Sequence, residues 1–312
     1  MATEQDFEMQ SICVGRYVID IPTQLRRQKR PVDGGGDATF YFGHDENFTK
    51  IDAAALDAGG RESFESAILA REAQLREKEN FSTNGPMFVA REQISSGVEL
   101  ISSYASVDLT EALRLEVHTL VQDDHIVLAQ TAYSADKAPA IHSGLLAMLP
   151  SVRALAAEAP GFCVGGAVFD LGQDYEEAEI SYAGSVDGVP VRLQFDINTF
   201  PRAADEPSLV ERGEANLAGL GIRPSKLRAG PRTLAGDAGE EWLGAFSADG
   251  RRLHGFYAET NTRTPSRTTP NLLVSFYTGD EEAAASPEEM KDEVAVALWE
   301  EMLASLRKRP ET

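Results

Sequence analysis

One short pattern occurs twice in this chain, near the start of each half. Residues 13–20 read CVGRYVID and residues 163–170 read CVGGAVFD, so both copies share Cys-Val-Gly-x-x-Val-x-Asp. The copies begin at positions 13 and 163 of a 312-residue chain, which makes each half about as long as one ordinary domain. This spacing predicts a tandem duplication of one folded unit.

The order of predicted elements repeats together with the pattern. Each half reads as a strand, a hairpin, a helix, four further strands and a closing helix, from alternation in the strands and a 3.6-residue apolar period in the helices. The sequence therefore predicts an α+β fold with two tandem, topologically similar domains, each a mostly antiparallel sheet with two packed helices. The predicted domains are residues 11–157 and 161–308.

The chain is strongly acidic, with a net charge of −21. Residues 1–160 hold 24 acidic and 14 basic residues, a balance of −10, and residues 161–312 hold 26 and 15, a balance of −11. Nucleic acids and anionic membranes attract basic patches, so this charge argues against both as partners. It favours either a basic protein partner or a well-solvated surface.

Targeting signals are not evident in this sequence. It contains no run of 18 apolar residues, so no membrane span is expected. The first ten residues, MATEQDFEMQ, are polar and acidic and do not resemble a signal peptide. Two readings follow: a cytoplasmic protein, or a mature segment whose signal or lipid-anchored leader was replaced by the initiating Met.

The sequence offers no catalytic or cofactor-binding constellation. It has no GxSxG, HExxH, P-loop or CxxC motif, and its carboxylates are too scattered to single out an acid–base pair. Asp123, Asp124 and His125 could contact a metal, but a hairpin tip is polar by default, and no metal or cofactor is predicted.

Cys13 and Cys163 are the only cysteines and occupy equivalent positions in the repeated pattern. Both could be small buried core residues, or they could pair in a disulfide if a rotation between the domains brings their equivalent strands together. A duplicated catalytic nucleophile is the least natural reading, because a nucleophile needs a base and an oxyanion site.

Several motifs resemble one known family. CVGRYVIDIP at 13–22 resembles the N-terminal domain of the immunity proteins paired with type VI secretion phospholipase effectors of the fourth lipase group (Tle cognate immunity protein 4). Further stretches resemble the C-terminal domain of that family: GFCVGG at 161–166, GEEWLGAF at 239–246, RLHGFYAET at 252–260 and PNLLVSFYTG at 270–279. The resemblance covers nearly the whole chain, with both domains in order.

The resemblance implies a two-domain binding protein that clamps a toxic lipase effector, expected at 1:1, in the periplasm and blocks its active-site entrance. It implies no catalytic residues. The alternatives are a small-ligand or envelope-stress binding protein, or an enzyme with an unrecognised site.

Loops that are longer or chemically more unusual than a connection requires are the predicted contact regions. The expected partner-binding residues come from the loop 33–48, the turn at 123–124 and the loop 261–270: Phe40, Tyr41, His44, Asp123, Asp124, Arg263 and Arg267. The two arginines would pair with carboxylates at the mouth of the lipase.

Overall fold

The computed structural model describes residues 7–43, 48–156, 159–203, 205–219, 224–248, 250–279 and 288–310. Its first strands are β1 (Met9–Val14), β2 (Tyr17–Pro22), β3 (Arg26–Gln28), β4 (Ala38–Phe42), β5 (Thr49–Ala58), β6 (Glu79–Asn80), β7 (Gly85–Pro86), β8 (Phe88–Ser95), β9 (Val98–Tyr104), β10 (Leu113–Val121), β11 (Asp124–Ala132), β12 (Val152–Ala154), β13 (Phe162–Val164) and β14 (Ala167–Phe169). Then follow β15 (Tyr175–Val186), β16 (Val189–Asn198), β17 (Ser225–Leu234), β18 (Asp237–Ala248), β19 (Arg251–Thr260), β20 (Asn271–Thr278) and β21 (Arg307–Lys308). The α-helices of the described residues are α1 (Gly60–Glu77), α2 (Ala138–Met148), α3 (Leu209–Gly219) and α4 (Asp292–Ser305).

The chain divides into two compact units. Met1–Gln28 and Tyr175–Glu311 together form one, here called the split unit, and Lys29–Asp174 forms the other, the continuous unit. The sheet of the continuous unit has the order β8-β9-β10-β11-β5-β4, and that of the split unit has the order β17-β18-β19-β20-β16-β15. These two orders are the same when the elements are matched along the chain, and the strands pair antiparallel. The predicted α+β fold with two topologically similar units is confirmed.

Apolar residues at helical spacing explain how the helices pack. In α1, Phe64, Ile68 and Leu75 are buried against Met87 and Ile101 of the continuous unit. In α4 of the split unit, the buried side chains follow the same spacing and are Ala295, Leu298, Trp299, Met302 and Leu303. No helix in the described part of the chain is both long and apolar enough to cross a bilayer.

Each copy of the repeated pattern forms a tight hairpin rather than the single strand expected for it. β1 and β2 turn at Gly15, and β13 and β14 turn at Gly165, with φ values of +56° and +58°. This left-handed backbone conformation favours glycine, which explains why the pattern places one there. Cys13 pairs with Val18 in the first hairpin, and Cys163 pairs with Val168 in the second.

Each hairpin belongs to the compact unit that is formed mainly by the other half of the sequence. The first hairpin pairs through β2 with β21, next to the C-terminus, and so belongs to the split unit. The second hairpin pairs through β14 with β12 and belongs to the continuous unit. The two compact units therefore differ from the predicted domains, 11–157 and 161–308, because each unit includes the hairpin from the other half of the sequence. That 11–157 and 161–308 are the duplicated repeats stays a prediction.

Polar contacts fix the first hairpin to the rest of the split unit. Arg16 donates from Nε and Nη2 to both carboxylate oxygens of buried Glu176, at 2.5 and 2.8 Å. The backbone N–H of Arg309 donates to the carbonyl of Arg16 at 2.9 Å, and the N–H of Asp20 donates to Ser305 Oγ at 2.7 Å. The first and last parts of the described chain are therefore held together within one unit.

Candidate functional site

The predicted contact residues Phe40 and Tyr41 are not on a loop. Both lie in β4, where they are 0% and 5% exposed. Phe40 packs on the rings of Phe162 and Phe169 in the second hairpin, with centroids 5.5 and 5.4 Å away. Tyr41 packs edge-on against Phe48 at 5.7 Å. The placement of these two on a loop was wrong, because the aromatic residues after the glycine triplet are core side chains of a strand.

Two further candidates of the continuous unit, Asp123 and Asp124, lie at the β10–β11 turn. His44 lies outside the described residues. Asp123 is exposed, and its backbone carbonyl accepts hydrogen bonds from the N–H groups of Gly59 and Gly60 at 3.0 and 3.2 Å. The Asp124 carboxylate occupies the space that a side chain at Gly166 would need. Asp123 therefore presents its carboxylate to solvent, whereas Asp124 lies against the second hairpin.

Arg263 and Arg267 lie on the same exposed loop of the split unit but differ in their contacts. The Arg263 guanidinium donates to the carbonyls of Ala203 and Glu206 at 3.0 and 3.2 Å, so it supports a neighbouring loop. Arg267 is exposed and forms no hydrogen bond or ion pair within the described part of the chain. Of the two, Arg267 is the one whose charge is available to a partner.

His125 does not point to solvent beside the two aspartates but is buried. Its Nε2 lies 2.9 Å from Nδ1 of His118, whose Nε2 lies 3.0 Å from Glu116 Oε2. Arg71 also binds the Glu116 carboxylate. Among the described residues, no three His, Cys, Asp or Glu side chains are grouped so as to hold a metal ion. The β10–β11 turn is therefore fixed to the core of the continuous unit by the buried side chain of His125.

Burial and charge set the protonation of this buried chain of polar groups. Burial opposes ionisation of Glu116, but hydrogen bonds from His118 and Arg71 outweigh it and lower its pKa to about 2. Burial, assisted by His118, lowers the pKa of His125 to about 3. At neutral pH the cluster therefore holds an ionised Glu116 and a neutral His125.

Cys13 and Cys163 are both buried, at 7% and 0% exposure, each in its own hairpin. Nη1 of Arg309 lies 3.0 Å from Cys13 Sγ within the split unit. The predicted Cys13–Cys163 disulfide stays a prediction.

A row of aromatic side chains crosses one face of the split unit's sheet. The strand registers place Trp242 opposite Tyr257, and Tyr277 between Gly255 and Arg192, so all these positions point to the same face. Ring centroids are 6.1 Å apart for Trp242 and Tyr257 and 5.8 Å apart for Tyr257 and Tyr277. Together with Arg192, these three rings are called here the aromatic strip.

Glycine makes room for the rings of this strip. The Trp242 indole lies over Gly244, where any side chain would collide with it. A Cβ at Gly255 would lie 3.2 Å from the ring of Phe246, a tight contact, and 3.6 Å from the Tyr257 hydroxyl, an ordinary one. In each strand the aromatic residue and the glycine are two positions apart, so they share a face and the ring lies down on the sheet.

The strip has one covered end and one open end. At the covered end, the N–H of Val210 in α3 donates to Glu240 at 3.3 Å, and Arg212 of the same helix pairs with Glu259 at 2.7 Å. At the open end, the Arg192 guanidinium lies over the Tyr277 ring, 4.9 Å from its centroid. Beside it is a small pocket lined by Ala183, Gly184, Pro190, Val191, Arg192, Tyr277 and Gly279.

The chemistry of the strip suits binding rather than acid–base work. Burial and a hydrogen bond with Tyr277 raise the pKa of Tyr257, which keeps this phenol protonated at neutral pH. Aromatic rings with an exposed arginine are the side chains that most often dominate protein interfaces. The sequence did carry a signal for the strip, since Trp242 with Gly244, Gly255 with Tyr257 and Tyr277 with Gly279 each put a glycine and an aromatic residue on one face.

Residues 157–311 match the family model of the Tle cognate immunity protein 4 C-terminal domain. No curated protein sequence matches significantly. The fold is similar to that of the immunity protein TplEi of the T6SS from Pseudomonas aeruginosa, in its apo form, with a TM-score of 0.67 and 22% identity over 97% of this chain and 98% of that one.

Two further solved structures share the fold. One is the crystal structure of a Tle4–Tli4 complex, with a TM-score of 0.67, 22% identity and the same coverage of 97% and 98%. The other is TplEi of Pseudomonas aeruginosa with an "L" peptide, with a TM-score of 0.63 and 21% identity over 97% and 98%. Residues 157–311 therefore match the Tle cognate immunity protein 4 family, by its C-terminal domain.

Proposed function

We propose that this chain is an immunity protein that binds a cognate type VI secretion phospholipase effector and blocks access to its active site, so that the producing cell and its kin are protected. The observation that carries the proposal is the match of residues 157–311 to the C-terminal domain of Tle cognate immunity protein 4. A fold shared over nearly the whole chain with a chain of a Tle4–Tli4 complex supports it. The chain then acts by binding, 1:1, and not as an enzyme.

Two predicted loop residues remain as proposed contacts. Asp123 and Arg267 are exposed, and they lie in different units of the fold. Two tethered units that each contact the partner would hold it more tightly than either alone, because the second contact forms at a high effective concentration.

The test takes the cognate effector to be a GxSxG hydrolase encoded by an adjacent gene, and it titrates the chain into that purified hydrolase with phospholipid hydrolysis as the readout. We expect activity to fall linearly to an end point at one chain per hydrolase. Full activity in the presence of excess chain would contradict the proposal. Hydrolysis of phospholipid by the chain alone would contradict its being a non-enzyme.

The proposed location is the periplasm, as the family resemblance implies. The predicted Cys13–Cys163 disulfide provides a second test of the location, because disulfides persist in oxidising compartments. Cells expressing the native gene would be fractionated, and thiols in the chain would be alkylated after denaturation. Periplasmic chain that is labelled only after reduction would fit both proposals. Chain confined to the cytoplasm would contradict the location.

A further inference from the structure

We propose that the aromatic strip and the pocket at its open end hold the partner, through a partner segment that presents one carboxylate beside an apolar side chain. The inference rests on the proposed function, since the partner is taken to be the cognate effector. It differs from the loop contacts above in placing the binding energy on the face of the split unit's sheet.

Arg192 supplies the charge for such a contact. It is exposed, and it forms no ion pair among the residues that the structure describes. Buried carboxylates elsewhere in this unit are paired with other arginines, as Glu176 is with Arg16 and Glu259 with Arg202 and Arg212. In a chain with 50 acidic and 29 basic residues, an arginine without a carboxylate is available for one brought by a partner.

Tyr277 prepares Arg192 for that contact. The guanidinium lies over the Tyr277 ring, and such cation–π stacking restricts its orientation while leaving its edge N–H groups free to donate. A guanidinium already held in place loses less conformational entropy when it binds. A planar, bidentate carboxylate is therefore a better match for this site than a single carbonyl oxygen.

The pocket beside Arg192 supplies the apolar part of the contact. Its walls include Ala183, Pro190 and Val191, which offer no charge. At Gly184 a side chain would collide with the Gln24 carbonyl, and at Gly279, with φ at +73°, it would collide with Leu253. Glycine at these two positions lets neighbouring parts of the chain pack closely beside the pocket, and the uncharged walls leave a space that suits a small aliphatic side chain next to the carboxylate.

The remaining rings give the surface a rigid base. Trp242 is 3% exposed, and its indole N–H is buried without a hydrogen-bond partner among the described residues. Tyr257 and Tyr277 lie between it and Arg192 and are both partly exposed. Rigid aromatic side chains bury a large area at low entropic cost, which concentrates binding energy at such positions.

The experiment measures the affinity of full-length variants for the same purified effector, taken to be a GxSxG hydrolase encoded by an adjacent gene. We expect Arg192→Gln and Tyr277→Ala each to weaken binding about tenfold or more, as interface anchors do. Arg192→Lys, which keeps the charge but not the planar fork, should lie between wild type and Arg192→Gln. Tyr277→Phe keeps the stacked ring, so its affinity should stay within about threefold of wild type.

Arg153→Gln is the charge-matched control. Its side chain is 50% exposed and its pair with Asp170 is long, at 3.7 Å, so we expect binding within about twofold of wild type. Thermal unfolding of every variant separates lost binding from lost folding. If Tyr277→Ala is unfolded, the affinities of Arg192→Gln and Arg192→Lys are sufficient to test the contact surface.

The outcomes distinguish this inference from the proposed function. Wild-type binding with folded Arg192→Gln within about threefold of it would overturn the strip as the contact surface and leave the immunity function standing. Absence of binding by wild type would overturn the proposed function itself. The carboxylate is tested by Arg192→Glu: a Glu→Lys or Asp→Lys change on the hydrolase should restore its affinity, and failure of every such change would exclude an acidic contact.

Discussion

A single buried chain of polar side chains makes the continuous unit sensitive to acid. His125 is 2% exposed, and the only hydrogen bond of its ring among the described residues is to His118, which in turn binds Glu116. An ordinary histidine has a pKa near 6.5, but burial lowers the pKa of His125 to about 3. Between those values the unfolded chain binds more protons than the folded one, so stability falls as the pH is lowered.

The corresponding prediction concerns the free energy of unfolding between pH 7 and pH 4. Wild type should lose about 1 kcal/mol or more over this range through His125, because one pKa unit corresponds to about 1.4 kcal/mol. In His125→Gln the loss should be clearly smaller. Urea unfolding at several pH values measures both, with His142→Gln, a change at a half-buried histidine, as the comparison. An unchanged slope in His125→Gln would exclude this histidine as the source.

Residues illustrate where sequence reasoning succeeds and where it cannot decide. Phe64, Ile68 and Leu75 have the apolar spacing of a helix in the sequence, and they form the buried face of α1. Phe40 and Tyr41 were misassigned because an aromatic pair near a glycine triplet fits a binding loop as well as a short core strand. Only the tertiary partners of Phe40, the rings of Phe162 and Phe169 more than a hundred positions later, distinguish the two.

At the scale of elements, the first hairpin is held by a buried ion pair. Glu176 is 0% exposed at its side chain and Arg16 is 17% exposed, whereas the pair Arg153–Asp170 of the continuous unit is 50% and 40% exposed. Removing one partner of a buried pair leaves an uncompensated charge, whereas exposed pairs contribute little. The two pairs therefore differ in how much they stabilise the fold.

Glu176→Ala should reduce the free energy of unfolding of the split unit by about 3 kcal/mol, the usual cost of a stranded buried charge. Arg153→Ala should change stability by less than about 0.5 kcal/mol. Urea unfolding compares them, and hydrogen exchange in the first hairpin reports whether it opens first. Equal effects of the two substitutions would mean that the Arg16–Glu176 pair does not hold the hairpin.

The element order was predictable from the sequence, but the exchange of hairpins was not. Alternation and helical spacing predict strand, hairpin, helix, four strands and helix in each half, and the structure has these main elements in this order, except that a hairpin replaces the first strand of each half. The two hairpins share the pattern Cys-Val-Gly-x-x-Val-x-Asp, so their apolar faces suit either unit. The sequence of each hairpin does not determine which unit it joins, because its pairing with β12 or β21 depends on the path of the whole chain.

For the whole molecule, the exchange predicts which fragments fold. Residues 29–174 contain the complete continuous unit, including the second hairpin against Phe40. Residues 1–157 correspond to the first sequence repeat but lack that hairpin. Expressed separately, 29–174 should unfold cooperatively in urea, and 1–157 should show a weaker or absent transition. A more stable 1–157 would mean that the repeat, and not the compact unit, folds on its own.

The net charge of −21 governs association at long range. If an electropositive surface of the effector is attracted by it, the association rate should fall as salt rises from low to physiological concentration, since the screening length shortens from about 30 Å to about 8 Å. Stopped-flow mixing measures this rate. A rate independent of salt would mean that the charge serves solubility, and Arg192→Gln should alter mainly dissociation in either case.

The exchanged first hairpin also has a consequence for synthesis on the ribosome. Its strands are among the first parts of the chain to emerge, yet β21, which they pair with, is among the last. At about 5–20 residues per second, the nascent hairpin waits on the order of tens of seconds before its partner exists. During that time Tyr17, Ile19 and Ile21, which end fully buried, are exposed to the cytoplasm or to chaperones. The first hairpin is thus synthesised early but can form its native pairing only after β21 has been synthesised.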